Sequence, residues 1–119
     1  MLGRMRRASS GLLLLFGVAS CIASATEVLP LTIGIEANRT TAAPGDTITF
    51  VTTVQGESLI GVAMDYADGT TDQFGTGGAK TGRVTFRKAF MQRGMFVVVA
   101  TVTDAAAGQQ TARVAIIVN

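Results

Sequence analysis

The sequence predicts an all-β fold, an antiparallel sandwich of about seven strands. Three observations predict it. Past the first 25 residues, apolar positions alternate with polar ones and helical periodicity is missing. β-branched residues gather in short runs, as half-buried strands require. Clusters of Gly, Pro, Asp and Asn separate those runs at roughly ten-residue intervals, the spacing of turns in a sandwich.

The elements follow in order. Leu31–Ala37 sets Leu31, Ile33 and Ile35 against Thr32, Gly34 and Glu36. Ala43-Pro44-Gly45-Asp46 is a turn, with proline presetting φ and glycine supplying a permissive position. Thr47–Gln55 alternates Ile48, Phe50 and Val54 with Thr47, Thr49 and Thr53. Gly61–Tyr66 places Val62, Met64 and Tyr66 on one face. Gly82–Phe90 collects Val84, Phe86 and Phe90, with Lys88 the charged member of the set. Met95–Thr103 aligns Phe96, Val98, Ala100 and Val102, and Gln110–Val118 aligns Ala112, Val114, Ile116 and Val118. Two sheets of such strands share an apolar interior, the immunoglobulin-like arrangement.

Residues 1–25 read as a signal peptide. Arg4, Arg6 and Arg7 form a positive start, and an apolar run from Gly11 to Ala19 follows. That run falls within the ~7–15 residues of a secretory core and short of the ~20 needed to span a bilayer. Two cleavage signals overlap behind it. Val18-Ala19-Ser20-Cys21 resembles a bacterial lipobox, which predicts cleavage before Cys21 and lipid on its sulfur. Ala23-Ser24-Ala25 fits an ordinary signal peptidase cutting after Ala25. Cys21 is the only cysteine, so no disulfide is available to it. Residues 26–30 form a short linker to a domain over 31–119, which sets the domain close to any membrane holding the lipid. The expected location is exported: a membrane-anchored lipoprotein facing the periplasm or cell surface, otherwise periplasmic or secreted.

Processing changes the charge. The whole chain carries ten Lys and Arg against eight Asp and Glu, for +2. Loss of Arg4, Arg6 and Arg7 leaves seven cations against the same eight acids, a net −1. The basic balance belongs to the leader, and a nucleic-acid partner is excluded.

Three blocks of the exported part resemble the PKD (polycystic-kidney-disease-type) domains found in many bacterial exported proteins. Pro44-Gly45-Asp46-Thr47-Ile48-Thr49-Phe50 is similar to that family's opening turn and strand. Met64-Asp65-Tyr66-Ala67-Asp68-Gly69-Thr70 is similar to its W-D-F-G-D-G-T signature. From Phe90 to Asp104, the residues Phe90, Gly94, Phe96, Val98, Ala100, Val102, Thr103 and Asp104 follow its third block. Met64 replaces the usual tryptophan, Ala67 a glycine, and Lys88 stands where histidine is frequent. The resemblance implies a non-catalytic module that binds protein or carbohydrate, with Asp65, Asp68, Gly69, Lys88, Gly94 and Asp104 as its structural signature.

The residues themselves support the middle block. Asp65, Asp68 and Gly69 sit where a strand reverses, short carboxylates accepting backbone N–H groups and glycine tolerating positive φ. Lys88 on an apolar face needs a partner, and Asp65 or Asp68 is the natural candidate. Asp65, Asp68 and Asp72 are also the candidate calcium ligands, although calcium takes six to eight oxygens and no cofactor is expected. Gly75–Thr81 superficially suggests a phosphate-binding loop, but Ala79 and Phe74 occupy the positions that need glycine. That stretch reads as a mobile inter-strand loop.

Catalysis lacks its parts. Histidine is absent, the single cysteine is committed to processing, and the lone tyrosine falls in the predicted core. Arg83, Arg87, Lys88 and Arg93 make a basic cluster without interleaved stacking aromatics; it reads as a solvated strand edge, with acidic polysaccharide or lipid headgroups as the functional alternative. Ala63, Val97, Val99, Ala115 and Ile117 alternate with the core set and predict an exposed apolar strip, a partner surface. The expected function is an envelope binding or adhesion module, its partner an envelope protein or polysaccharide. The alternatives are an assembly subunit docking through the apolar strip, including onto itself, and a calcium-dependent carbohydrate-binding module.

Overall fold

The computed structural model describes residues 29–119. The leader, both cleavage signals, Cys21 and most of the linker lie outside the described residues. Six strands follow in order: β1 (Thr32–Ala37), β2 (Thr41–Ala42), β3 (Thr47–Asp65), β4 (Thr71–Ala89), β5 (Gly94–Asp104) and β6 (Gly108–Val118). The expected all-β, immunoglobulin-like sandwich is present. Its two sheets are made by one curled sheet that doubles back on itself.

The doubling happens within the β3–β4 hairpin, whose strands are 19 residues each. The first half of β3 pairs with β1 on one side and with residues 81–89 of β4 on the other. Its second half pairs with β5 and with residues 71–75 of β4. β5 then pairs with β6, and β6 takes the short parallel strand β2 at its far edge. One hairpin thus contributes two strands to each layer. Six strands are found where about seven are expected: the predicted strands 47–55 and 61–66 are one element, and the two-residue β2 is not among the expected strands.

Both strands bend for local reasons. In β3 the buried positions run Ile48, Phe50, Thr52, Val54 and Gly56, then step to Leu59 and again to Val62. Those three-residue steps are irregularities in the ladder, where register slips on either side of Leu59. A Cβ on Gly56 would stand 2.7 Å from Asp104 Oδ1 and 2.8 Å from Leu59 Cδ2, so the close approach requires glycine. Opposite, Gly77 and Gly78 take φ of +61° and +87°, which side chains rarely adopt. The Gly75–Thr81 stretch is therefore not an inter-strand loop, as expected above, but the bend of β4. Glycine-rich composition there marks a bent strand rather than a chain break.

The interior is the set the alternation selects. Ile48, Phe50 and Val54 face Val62, Met64 and Tyr66, with Val84, Phe86, Phe90, Val98, Val102 and Ile116 closing the core. Thr52 is buried among them and donates its hydroxyl to the Val84 carbonyl at 3.1 Å. Because the hairpin doubles back, Tyr66 at its tip meets Phe50 and Phe90 at its base, with ring centroids 6.0 and 6.4 Å apart. Gly56→Ala is expected to destabilise the domain by about 1–3 kcal/mol, an overpacking cost, read as a lower denaturant midpoint with unchanged m-value.

Candidate functional site

Short carboxylates shape the β3–β4 turn. Asp65 Oδ1 accepts the Ala67 N–H at 2.9 Å. Asp68 Oδ1 accepts the Thr70 N–H at 3.0 Å and the Thr70 hydroxyl as well. The Tyr66 N–H closes the loop on the Thr70 carbonyl at 3.2 Å. Gly69 has φ +91°, and Ala67, standing for the resembled family's glycine, has φ +63°.

Lys88 reaches this turn from the far end of β4. Its Nζ lies 2.7 Å from Asp68 Oδ2 and donates to Thr70 Oγ1 at 2.8 Å. It also sits 5.2 Å from the Tyr66 ring centroid and 5.7 Å from that of Phe90, within cation–π range. The Lys88 and Asp68 side chains are only 17% and 21% exposed. Of the two expected partners Asp68 holds the lysine, and Asp65 is turned into its own loop. Burial raises the Asp68 carboxyl, but the bonds from Lys88 and Thr70 together outweigh it and hold the group below the usual carboxylate range.

Asp72 is engaged separately, accepting the Tyr66 hydroxyl at 3.3 Å and the Gln73 N–H at 3.2 Å. Burial, and after it the Asp72 charge, push the Tyr66 hydroxyl well above its ordinary range. Asp65, Asp68 and Asp72 are thus held by three different sets of partners. Among the described residues no group of three acidic side chains gathers around one point.

Asp104 ends β5 and is 3% exposed. Its Oδ1 accepts the Ser58 N–H at 2.6 Å, and its Oδ2 accepts the Ala106 and Ala107 N–H groups at 2.9 Å each. Burial acts to raise this carboxyl, and the backbone donors overcome it and lower it. The carboxylate therefore pins the β3 bend to the β5–β6 turn. Glu57 and Lys80, which the sequence does not single out, meet across the same bend at 2.9 Å. Gly94 opens β5 opposite Val118.

The outer faces differ. On the β5–β6 side, the cross-strand pairs Met95–Ile117 and Val97–Ala115 lie next to each other. Met95, Val97 and Ile117 are 67%, 40% and 46% exposed. Val99 and Ala63, expected in the same strip, are half-buried: Val99 follows Val97 along β5 but is flanked by Arg113 and Asp65, and Ala63 lies apart between Thr101 and Gln73. Met95 joins the strip instead. On the opposite layer the outward positions are mostly threonine and arginine. Lys88 leaves the expected basic cluster by turning to Asp68, while Arg83, Arg87 and Arg93 are exposed and make no ion pair among the described residues.

The fold is shared with solved structures. A PKD domain of an M14-like peptidase from a Thermoplasmatales archaeon matches with a TM-score of 0.67 and 17% identity, over 77% of this chain and 98% of that one. The PKD domain of the human VPS10 domain-containing receptor SorCS2 matches at 0.55 and 20%, over 78% and 77%. A CARDB domain from Pyrococcus furiosus, solved in complex with di-metal ions, matches at 0.54 and 18%, over 75% and 92%. No family model and no curated protein matches the chain. The described domain is a PKD-like immunoglobulin-type sandwich.

Ala67→Gly is expected to stabilise the domain by about 1 kcal/mol, since it relieves a left-handed Cβ, and equilibrium unfolding measures it. Lys88→Met should lower Tm at pH 7, leaving Asp68 without its cation. Because the folded Asp68 value is depressed, the native pairing stabilises above the unfolded value of about 3.9 and fades as pH falls through the folded one. The Tm gap between wild type and variant should therefore narrow as pH falls below the ordinary carboxylate range and close once Asp68 is protonated in the folded state, read by thermal melts across acid to neutral pH.

Proposed function

We propose that this chain is a non-catalytic binding or adhesion module of the cell envelope, exported by its leader and tethered through lipid on Cys21. The observation that carries the reading is where the polar chemistry goes. Lys88, Asp68, Asp65, Asp72 and Asp104 are engaged in turns and bends, while exposed arginines on one sheet face and exposed Met95, Val97 and Ile117 on the other are left to solvent. Flat faces suit recognition of another surface or a polymer, whereas catalysis needs convergent groups in a cleft. A PKD-like fold is compatible with this role but does not decide it, because one sandwich hosts many functions.

Partners on this reading are an envelope protein or a polysaccharide. A specific observation favours a second reading, an assembly subunit. Exposed Met95, Val97 and Ile117 are contiguous on one face, and apolar patches of that kind mark docking sites.

The test is intact mass and fractionation of the protein recovered from its host, beside a Cys21→Ala variant. A mass starting at acylated Cys21, membrane retention lost in the variant, and saturable rebinding of the mature protein to washed envelopes are expected. A mass starting at Thr26 with no envelope binding would overturn the proposal. Size that rises with protein concentration, and falls to monomer when Met95 and Ile117 become polar, would favour the assembly reading.

A further inference from the structure

The outer face of the β1–β3–β4 layer shows what such a module would hold. Register places Thr53 beside Arg83, Thr49 beside Arg87 and Gln55 beside Thr81, with Thr85 between the two arginines along β4. Arg83, Arg87, Thr53 and Thr85 are all exposed. Threonine suits any exposed strand, so the hydroxyls alone argue nothing. The arginines decide the matter. Every other cation of the strands and bends that lies near an acid is paired: Arg39 with Asp46, Lys80 with Glu57, Lys88 with Asp68. Arg83 and Arg87 have no carboxylate opposite them, and the single acid of this face, Glu36, stands on β1 across Val51 from Thr85.

Geometry narrows the ligand. Four residues along a strand separate the two guanidinium stems by about 13 Å. That distance is too long for one small anion to bridge and suits a linear chain carrying repeated anionic groups. No exposed aromatic interleaves the arginines, so base stacking has no platform here. The outward positions of this layer hold no large exposed apolar side chain to enter a bilayer. Hydroxyl and amide groups from Thr49, Thr53, Thr85 and Gln55 instead match a ligand rich in hydroxyls.

We infer that the outer face of the β1–β3–β4 layer binds an acidic polysaccharide, its carboxylates or sulfates taken by Arg83 and Arg87 and its hydroxyls by the threonines between them. This rests on the envelope-binding reading and supplies its ligand class. Guanidinium groups bind carboxylate and sulfate through paired N–H donors, which gives geometric preference as well as charge. The β4 edge is open beyond the arginines, so a long chain can lie across the layer without obstruction from another strand.

The test measures binding of the mature protein to polygalacturonate, with neutral dextran, monomeric galacturonate and anionic phosphatidylglycerol vesicles alongside. Polygalacturonate should bind, dextran and the monomer should not, and binding should weaken as salt rises. Arg83→Gln with Arg87→Gln should lose about tenfold or more in affinity at unchanged Tm, since neither side chain makes a contact the fold uses. Arg83→Lys with Arg87→Lys should retain the salt dependence and part of the affinity, and Arg113→Gln on the opposite layer should bind as wild type. Equal affinity in the double glutamine variant would overturn the inference and leave the arginines as protection of a sheet edge. Stronger binding to the vesicles than to the polymer would overturn it in favour of a lipid surface. If the glutamine variant still rebinds washed envelopes as wild type does, only the ligand assignment fails; if wild type itself does not rebind, the envelope reading fails with it.

Discussion

A hairpin of two 19-residue strands must fold in half before this chain has an interior at all. Laid straight, β3 and β4 would present one long face with nothing to cover it. Bent, the hairpin brings Tyr66 onto Phe50 and Phe90 and turns its two halves into opposing layers. β1 then extends one layer, and β5 with β6 extends the other. Two contacts hold the fold in place, one at each end. Asp104 fastens the bend through Ser58, and Lys88 fastens the tip to the base through Asp68 and Thr70. Neither contact contributes as much as the apolar burial between the layers. Their value is angular: they select one bend among the several that a glycine-rich hairpin permits.

Most of this architecture was legible because alternation of period two survives wherever one face is buried. The inward sets at 48–54, 62–66, 84–90 and 96–102 can be read directly from the chain. What escaped is the bend. At Gly56–Leu59 the buried phase advances by three residues twice, and at Gly77–Gly78 the backbone takes positive φ. Both interrupt the alternation, so each resembles the end of a strand. Sequence periodicity reports which way a side chain points, and a bulge changes that without breaking the ladder.

The candidate sites divide along the same line. Lys88 stands out in the sequence because a charge on an inward face demands a partner, and that demand is local enough to narrow the choice to two carboxylates. Asp104 carried no such signal beyond the family resemblance, since its donors at Ser58 and Ala106 are separated from it by the fold or belong to a turn. The apolar strip was half legible. Alternation identified Val97, Ala115 and Ile117, but which of them touch depends on the register of β5 with β6. That register puts Met95 beside Ile117 and Arg113 beside Val99. Pairing register is set across strands, so no single strand discloses it.

Electrostatics then separates structure from recognition without reference to any relative. A charge whose opposite lies within bonding distance, and whose side chain is largely covered, is explained by the fold; Lys88 and Asp68 are of this kind. A charge that is exposed, unpaired and repeated on one face is not needed by the fold, because exposed pairs contribute little to stability and unpaired ones less. Arg83 and Arg87 meet that description, and they do so on a layer whose outward groups are mostly threonines, with Gln55, Val51 and the one acid Glu36 among them. The opposite layer carries its exposed apolar side chains at one end, at Met95, Val97 and Ile117, and turns polar beyond Val99 with Arg113, Thr101, Thr111 and Gln109. The fold therefore leaves its unpaired arginines and its exposed apolar side chains on opposite layers, where neither set is needed to hold the sandwich together.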